Sequence, residues 1–136
     1  VVRIAYPYDP DHLDAPYPPL VQDLIHLKML GYHASVQEVI KMVAALKEQG
    51  SRCDFLKKLK GSPLLELKPH SRGGQKGGVR VYLFQGATRD QQELFLLCRA
   101  EWKQGISASE ALLEDTAYIL MAYRNGSPLF PSEESV

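Results

Sequence analysis

Two alternating stretches, Val79–Gln85 and Glu93–Lys103, constrain this 136-residue chain most. Side chains of a strand point to opposite faces in turn, so residues two apart share a face. Val79, Val81 and Leu83 therefore point one way, and Arg80, Tyr82 and Phe84 the other. In the second stretch Leu94, Leu96, Cys98, Ala100 and Trp102 share one face, which makes Trp102 a core residue. Phe95, Leu97, Arg99, Glu101 and Lys103 share the opposite face. A third strand is expected at Leu64–Lys68, before the glycine-rich basic loop Pro69–Gly78, and Gly86–Gln92 reads as a turn.

Helical signals surround these strands. Leu20, Val21, Leu24, Ile25 and Leu27 follow a run of prolines and precede Gly31, which predicts a short helix. Ser35-Val36-Gln37-Glu38 has the pattern of a capping box. Val36, Val39, Ile40, Val43 and Leu46 then recur at helical spacing up to Gly50, predicting a helix over 36–49. Residues 51–63 read as a basic connector. Ser107-Ala108-Ser109-Glu110 repeats the capping pattern before a helix that ends at Asn125-Gly126. The expected fold is α+β. Two N-terminal helices and one C-terminal helix pack on one face of a three-stranded antiparallel meander, and residues 1–8 can supply a further edge strand. Residues 1–34 form a proline-rich start and short helix of the same domain, 35–126 the core, and 127–136 a tail.

Turn positions suggest a register. A first hairpin folding about Gly73-Gly74 sets Lys68 opposite Arg80 and Glu66 opposite Tyr82. A second folding near Thr88-Arg89 sets Arg80 opposite Leu97. Lys68, Arg80, Arg99, Glu101 and Lys103 then gather at one end of one face, below His70, Arg72 and Lys76 of the loop. Several cations around one carboxylate repel one another across a sheet. An anionic ligand relieves that repulsion, and glycine-rich backbone can approach phosphates closely.

Charge placement agrees. Sixteen basic and sixteen acidic residues balance overall, which argues against a strongly basic nucleic-acid binder. Yet residues 52–80 hold eight basic against two acidic residues, a net of +6, while residues 1–24 carry −3 and 101–136 carry −4. Such asymmetry suits an anionic partner. No apolar run approaches the roughly 20 residues of a membrane span. Val1–Ile4 has no signal-peptide pattern. The expectation is a cytoplasmic protein without a membrane partner. Cys53 and Cys98 make no disulfide framework, and the histidines have no metal-ligand spacing, so no cofactor or metal is expected.

Taken in order, several segments resemble the RelE/ParE toxin superfamily of bacterial toxin–antitoxin systems, closest to its HigB-like branch. They are Leu46-Lys47-Glu48-Gln49-Gly50, Phe55-Leu56-Lys57-Lys58-Leu59-Lys60-Gly61, Leu64-Leu65-Glu66-Leu67-Lys68, Val79-Arg80-Val81-Tyr82-Leu83-Phe84, Leu96–Lys103 and Ser107–Arg124. The resemblance covers about residues 35–125. It implies a metal-independent endoribonuclease that cleaves mRNA in the ribosome and inhibits translation. Such cleavage needs a deprotonated 2′-hydroxyl, a stabilised phosphorane and a protonated leaving oxygen. Under this resemblance Lys68, Arg80 and Lys103 supply the electrostatic stabilisation. Glu101, or a lysine depressed by neighbouring cations, serves as base, and His70 as acid. Arg72, Lys76 and Arg99 suit phosphate contacts, and Tyr82 can stack on a base. The resemblance also implies a cognate antitoxin as partner in a hetero-oligomer. Lys68 matches the basic position closing the first strand, Arg80 the arginine of the second, and Lys103 the basic residue after the aromatic of the last. Glu101 falls where the family varies. The chain departs from the family in its neutral charge, its longer start, its long glycine-rich loop and the lack of a Tyr or His just after Lys103. Two alternatives stand beside this reading. One is a non-nuclease protein of the same fold, such as a ParE-like gyrase inhibitor. The other is an interaction module whose sheet face meets an acidic protein.

Overall fold

The computed structural model describes residues 2–70, 77–105 and 108–130. In chain order the elements are β1 (Val2–Ala5), α1 (Pro19–Met29), α2 (His33–Gln49), β2 (Leu56–Lys58), β3 (Leu65–Leu67), β4 (Gly78–Gln85), β5 (Glu93–Lys103) and α3 (Glu110–Arg124). The class is α+β with three helices. The sheet has five strands in the order β1-β5-β4-β3-β2, so the expected three-stranded meander is too small. β2 to β5 are antiparallel neighbours, and β1 adds to β5 in parallel. The N-terminal edge strand was legible, whereas β2 lies inside the segment expected to be a basic connector. β2 is three residues long and carries Lys57 and Lys58, as charged edge strands do.

α1 begins where Pro18 and Pro19 preset a helical φ, and it stops before Gly31, whose φ is +93°. α2 starts three residues earlier than expected, with Tyr32 at its cap. Ser35 lies buried inside the first turn and makes no capping bond. The buried stripe of α2 is Val39, Met42 and Leu46, while Ile40 is exposed. The helix closes at Gly50, with a φ of +61° that only glycine adopts freely.

The two faces of the sheet are both covered, which corrects the one-sided arrangement. α1 and α2 pack with Leu67, Val79, Val81, Leu83, Phe95, Leu97 and Ala100. α3 packs on the other face with Phe84, Leu96 and Cys98. Leu97 and Ala100 meet the same core although an alternating strand would place them on opposite faces. The cause is a register shift between Tyr82 and Leu83, where Tyr82 pairs with Arg99 and Leu83 with Leu97. The β4–β5 turn is centred on Asp90-Gln91, both at positive φ, and closed by an Arg89–Gln92 bridge. Moving a hairpin centre by two residues moves each partner by four. Arg80 therefore faces Glu101 and not Leu97.

Candidate functional site

The site is built where β4 and β5 reach the N-terminus of α3. Arg80 faces Glu101, Tyr82 faces Arg99, and Glu66 of β3 faces Tyr82 as expected. Directly opposed residues share a face, so these side chains line the α3 side of the sheet. Glu101 is the acceptor at its centre. Its Oε1 takes a hydrogen bond from Ser109 Oγ at 2.6 Å, and its Oε2 takes bonds from Tyr82 Oη and from the Ser109 amide at 3.2 Å. Lys103 Nζ donates to Ser109 Oγ at 3.3 Å. Ser109 caps α3, and its hydroxyl serves Glu101 and makes no bond to the helix backbone. The carboxylate thus sits at a helix N-terminus, where unpaired N–H groups favour negative charge.

Burial alone would raise the Glu101 carboxyl. The bonds from Ser109 and Tyr82, with Lys103 nearby, outweigh it and hold the group below the usual carboxylate range. Burial pushes Glu66 up, against the pull of Arg80 and Lys68, while Glu101 adds to the rise. Burial, then the bond to Glu101, pushes the Tyr82 phenol far above its usual range. These mutual influences bring Glu66, Lys68, Arg80, Glu101 and Lys103 into one electrostatic unit, three cations with two carboxyls.

The cluster gathers Lys68, Arg80, Glu101 and Lys103, the four residues expected to carry chemistry. Lys68 and Lys103 are half-buried. Arg80 is 2% exposed, and its Nη2 donates to the Gly105 carbonyl at 3.0 Å. The expected RNA contacts fare differently. Tyr82 is fully buried, which leaves no ring face for a base to stack on. Arg99 is held by Asp23 of α1, through Nε at 2.7 Å and Nη2 at 3.1 Å, and by Asp115 of α3. Two carboxylates already neutralise it, so it offers no spare charge to a phosphate. His70 is exposed but stacks against Phe55, which packs beside α2, with centroids 4.8 Å apart. That places it away from Glu101. Arg72 and Lys76 lie outside the described residues.

Ser109 and Asp23 escaped the sequence reading. Ser109 is the second serine of a capping pattern assigned to Ser107. Asp23 lies in a helix and gives no local sign that it accepts from the Ala100 amide at 2.9 Å across the sheet edge. Trp102, expected in the core, is 37% exposed and stacks on Tyr32. Cys53 and Cys98 are buried free thiols. Among the described residues no group of His, Cys, Asp and Glu is placed to hold a metal ion, and no helix is long and apolar enough to cross a membrane. In comparisons with protein-family models, curated proteins and solved structures, none matches the chain.

Proposed function

We propose that this chain is the toxin component of a toxin–antitoxin pair, a RelE/ParE-like endoribonuclease that cleaves mRNA during translation. One observation carries the reading: Lys68, Arg80 and Lys103, from three different parts of the chain, converge on Glu66 and Glu101 at one end of the sheet. The order α2, an antiparallel run of strands and α3 also follows the segments that carry the resemblance, while β1 and α1 lie outside it.

In this reading the half-buried Lys68 and Lys103 hold the phosphate and stabilise charge on the phosphorane. Arg80 is a positioning residue in the closed site, because its guanidinium is covered and tied to the Gly105 carbonyl. Glu101 does not serve as the base while Ser109 and Tyr82 occupy both of its oxygens. It anchors Ser109 and Lys103 instead. A lysine of the cluster is the remaining candidate for proton transfer. The partner is an antitoxin whose acidic segment neutralises the basic surface.

A second reading is a non-nuclease binding protein of the same shape, of the gyrase-inhibitor or interaction type. The occupied oxygens of Glu101 favour it, since Ser109 and Tyr82 already engage that carboxylate. Adding the purified chain to a cell-free translation reaction separates the two. Arrest with the message cut within its reading frame supports the nuclease. Arrest with the message intact, or inhibition of gyrase supercoiling alone, supports the second reading.

A further inference from the structure

β1 covers only the first part of the outer edge of β5. Its last pair is Ala5–Leu96, so among the described residues β5 beyond that point has no neighbouring strand on the β1 side. In an antiparallel ladder the residues alternate, one bonding its neighbour and the next pointing its N–H and C=O outward. The Ala100 N–H points outward, because Asp23 of α1 accepts it. By the same alternation the N–H and C=O of Trp102 point outward too. Among the described residues neither makes a hydrogen bond to another backbone or side-chain group outside the sheet.

A cavity of about 330 Å³ opens at this edge. Its walls include His26 of α1, Leu30 just after that helix, Tyr32, Ala100 and Trp102. The Tyr32 and Trp102 rings stack with centroids 5.3 Å apart and planes 25° from parallel, and each ring residue is 37% exposed. The volume is at the small end for ligand sites. It combines flat aromatic surface with one free backbone donor and one free acceptor.

We infer that this cavity is a stacking subsite for one unpaired purine base of single-stranded RNA. The free edge is too short for an added strand, since α1 closes one end of it through Asp23. A planar base fits the same features. Its ring stacks on the Trp102–Tyr32 pair, and its Watson–Crick edge meets the Trp102 N–H and C=O. A purine offers the larger π-face of the two base classes. Lys103 follows Trp102 in the chain, and its side chain lies on the opposite face of the sheet with the cluster. The inference rests on the RNA-directed reading above and names where one base of that RNA sits.

Trp102 is the sole tryptophan, so its emission reports on the site directly. The test titrates the full chain with short oligoadenylate and with an abasic ribose-phosphate oligomer of the same length, following Trp102 fluorescence and the anisotropy of a labelled oligomer together. The expected result is quenching by oligoadenylate, and abasic binding weaker by about 5- to 100-fold without quenching. Tyr32→Ala, checked for retained circular dichroism, should bring oligoadenylate close to the abasic affinity. Equal binding of both oligomers with unchanged emission overturns the base site and leaves the RNA-directed reading standing. Binding of neither oligomer overturns both.

Discussion

Arg80 and Glu101 face each other across β4 and β5, yet they are not an ion pair. The guanidinium donates to the Gly105 carbonyl, and the carboxylate accepts from Tyr82 and Ser109. Among the described residues no carboxylate lies within ion-pairing distance of Arg80. A nearly buried cation without a carboxylate partner carries a desolvation cost, which the anionic ligand of the proposed function would offset.

Tyr82→Phe should destabilise the fold by about 1–3 kcal/mol, the usual range for a buried bond to a charged group. The phenol is buried and its partner is ionised, so nothing replaces the lost donor. Urea denaturation at neutral pH measures it. An unchanged midpoint would show that the bond contributes nothing.

Acid stability should depend on Ser109. The folded state holds the Glu101 carboxyl low, so its contribution is present above the unfolded value and is lost as pH falls through the folded one. Glu66 works in the opposite sense. Its folded value is raised, so the fold loses stability as pH rises from the unfolded toward the folded value. Ser109→Ala should move the acid-unfolding midpoint to higher pH, and Glu66→Gln should stabilise the protein at neutral pH. Circular dichroism across a pH series reads both.

The two carboxylates on Arg99 should differ in weight. Asp23 holds Nε and Nη2 and also caps the Ala100 amide, with its side chain 17% exposed. Removing it leaves a partly buried guanidinium and an open strand edge, and Asp23→Ala should cost about 2–4 kcal/mol. The Asp115 side chain is 55% exposed, so Asp115→Ala should cost less than about 1 kcal/mol. Equal losses in thermal or urea unfolding would contradict this ranking.

Much of this arrangement was readable beforehand, for local reasons. Glycines marked the ends of α1 and α2, and a hairpin centre expected at Gly73-Gly74 set Glu66 opposite Tyr82. The position of the β4–β5 turn was not readable, because Asp90 and Gln91 take positive φ without a glycine to announce it. Nor was the bulge beside Tyr82, which separates Leu97 from the face shared by Arg99, Glu101 and Lys103. With the turn moved, Arg80 pairs with Glu101, four residues from the expected Leu97. Burial of Arg80 and Tyr82 depends on how α3 docks, and the packing of α3 opposite α1 and α2 is a tertiary outcome that no local pattern encodes. Asp23 reaches Arg99 across 76 positions in sequence, beyond the range of any motif.

The most direct measurement is to induce the chain alone in bacteria and map mRNA 5′ ends within minutes. The expected result is new ends inside translated frames, lost in a Lys68→Ala/Lys103→Ala variant that accumulates to the same level. Those two residues are half-buried at the cluster's rim, so the fold should survive their truncation. Intact messages with the unaltered chain, or cleavage that persists in the double variant, would contradict the assignment of this face to RNA cleavage.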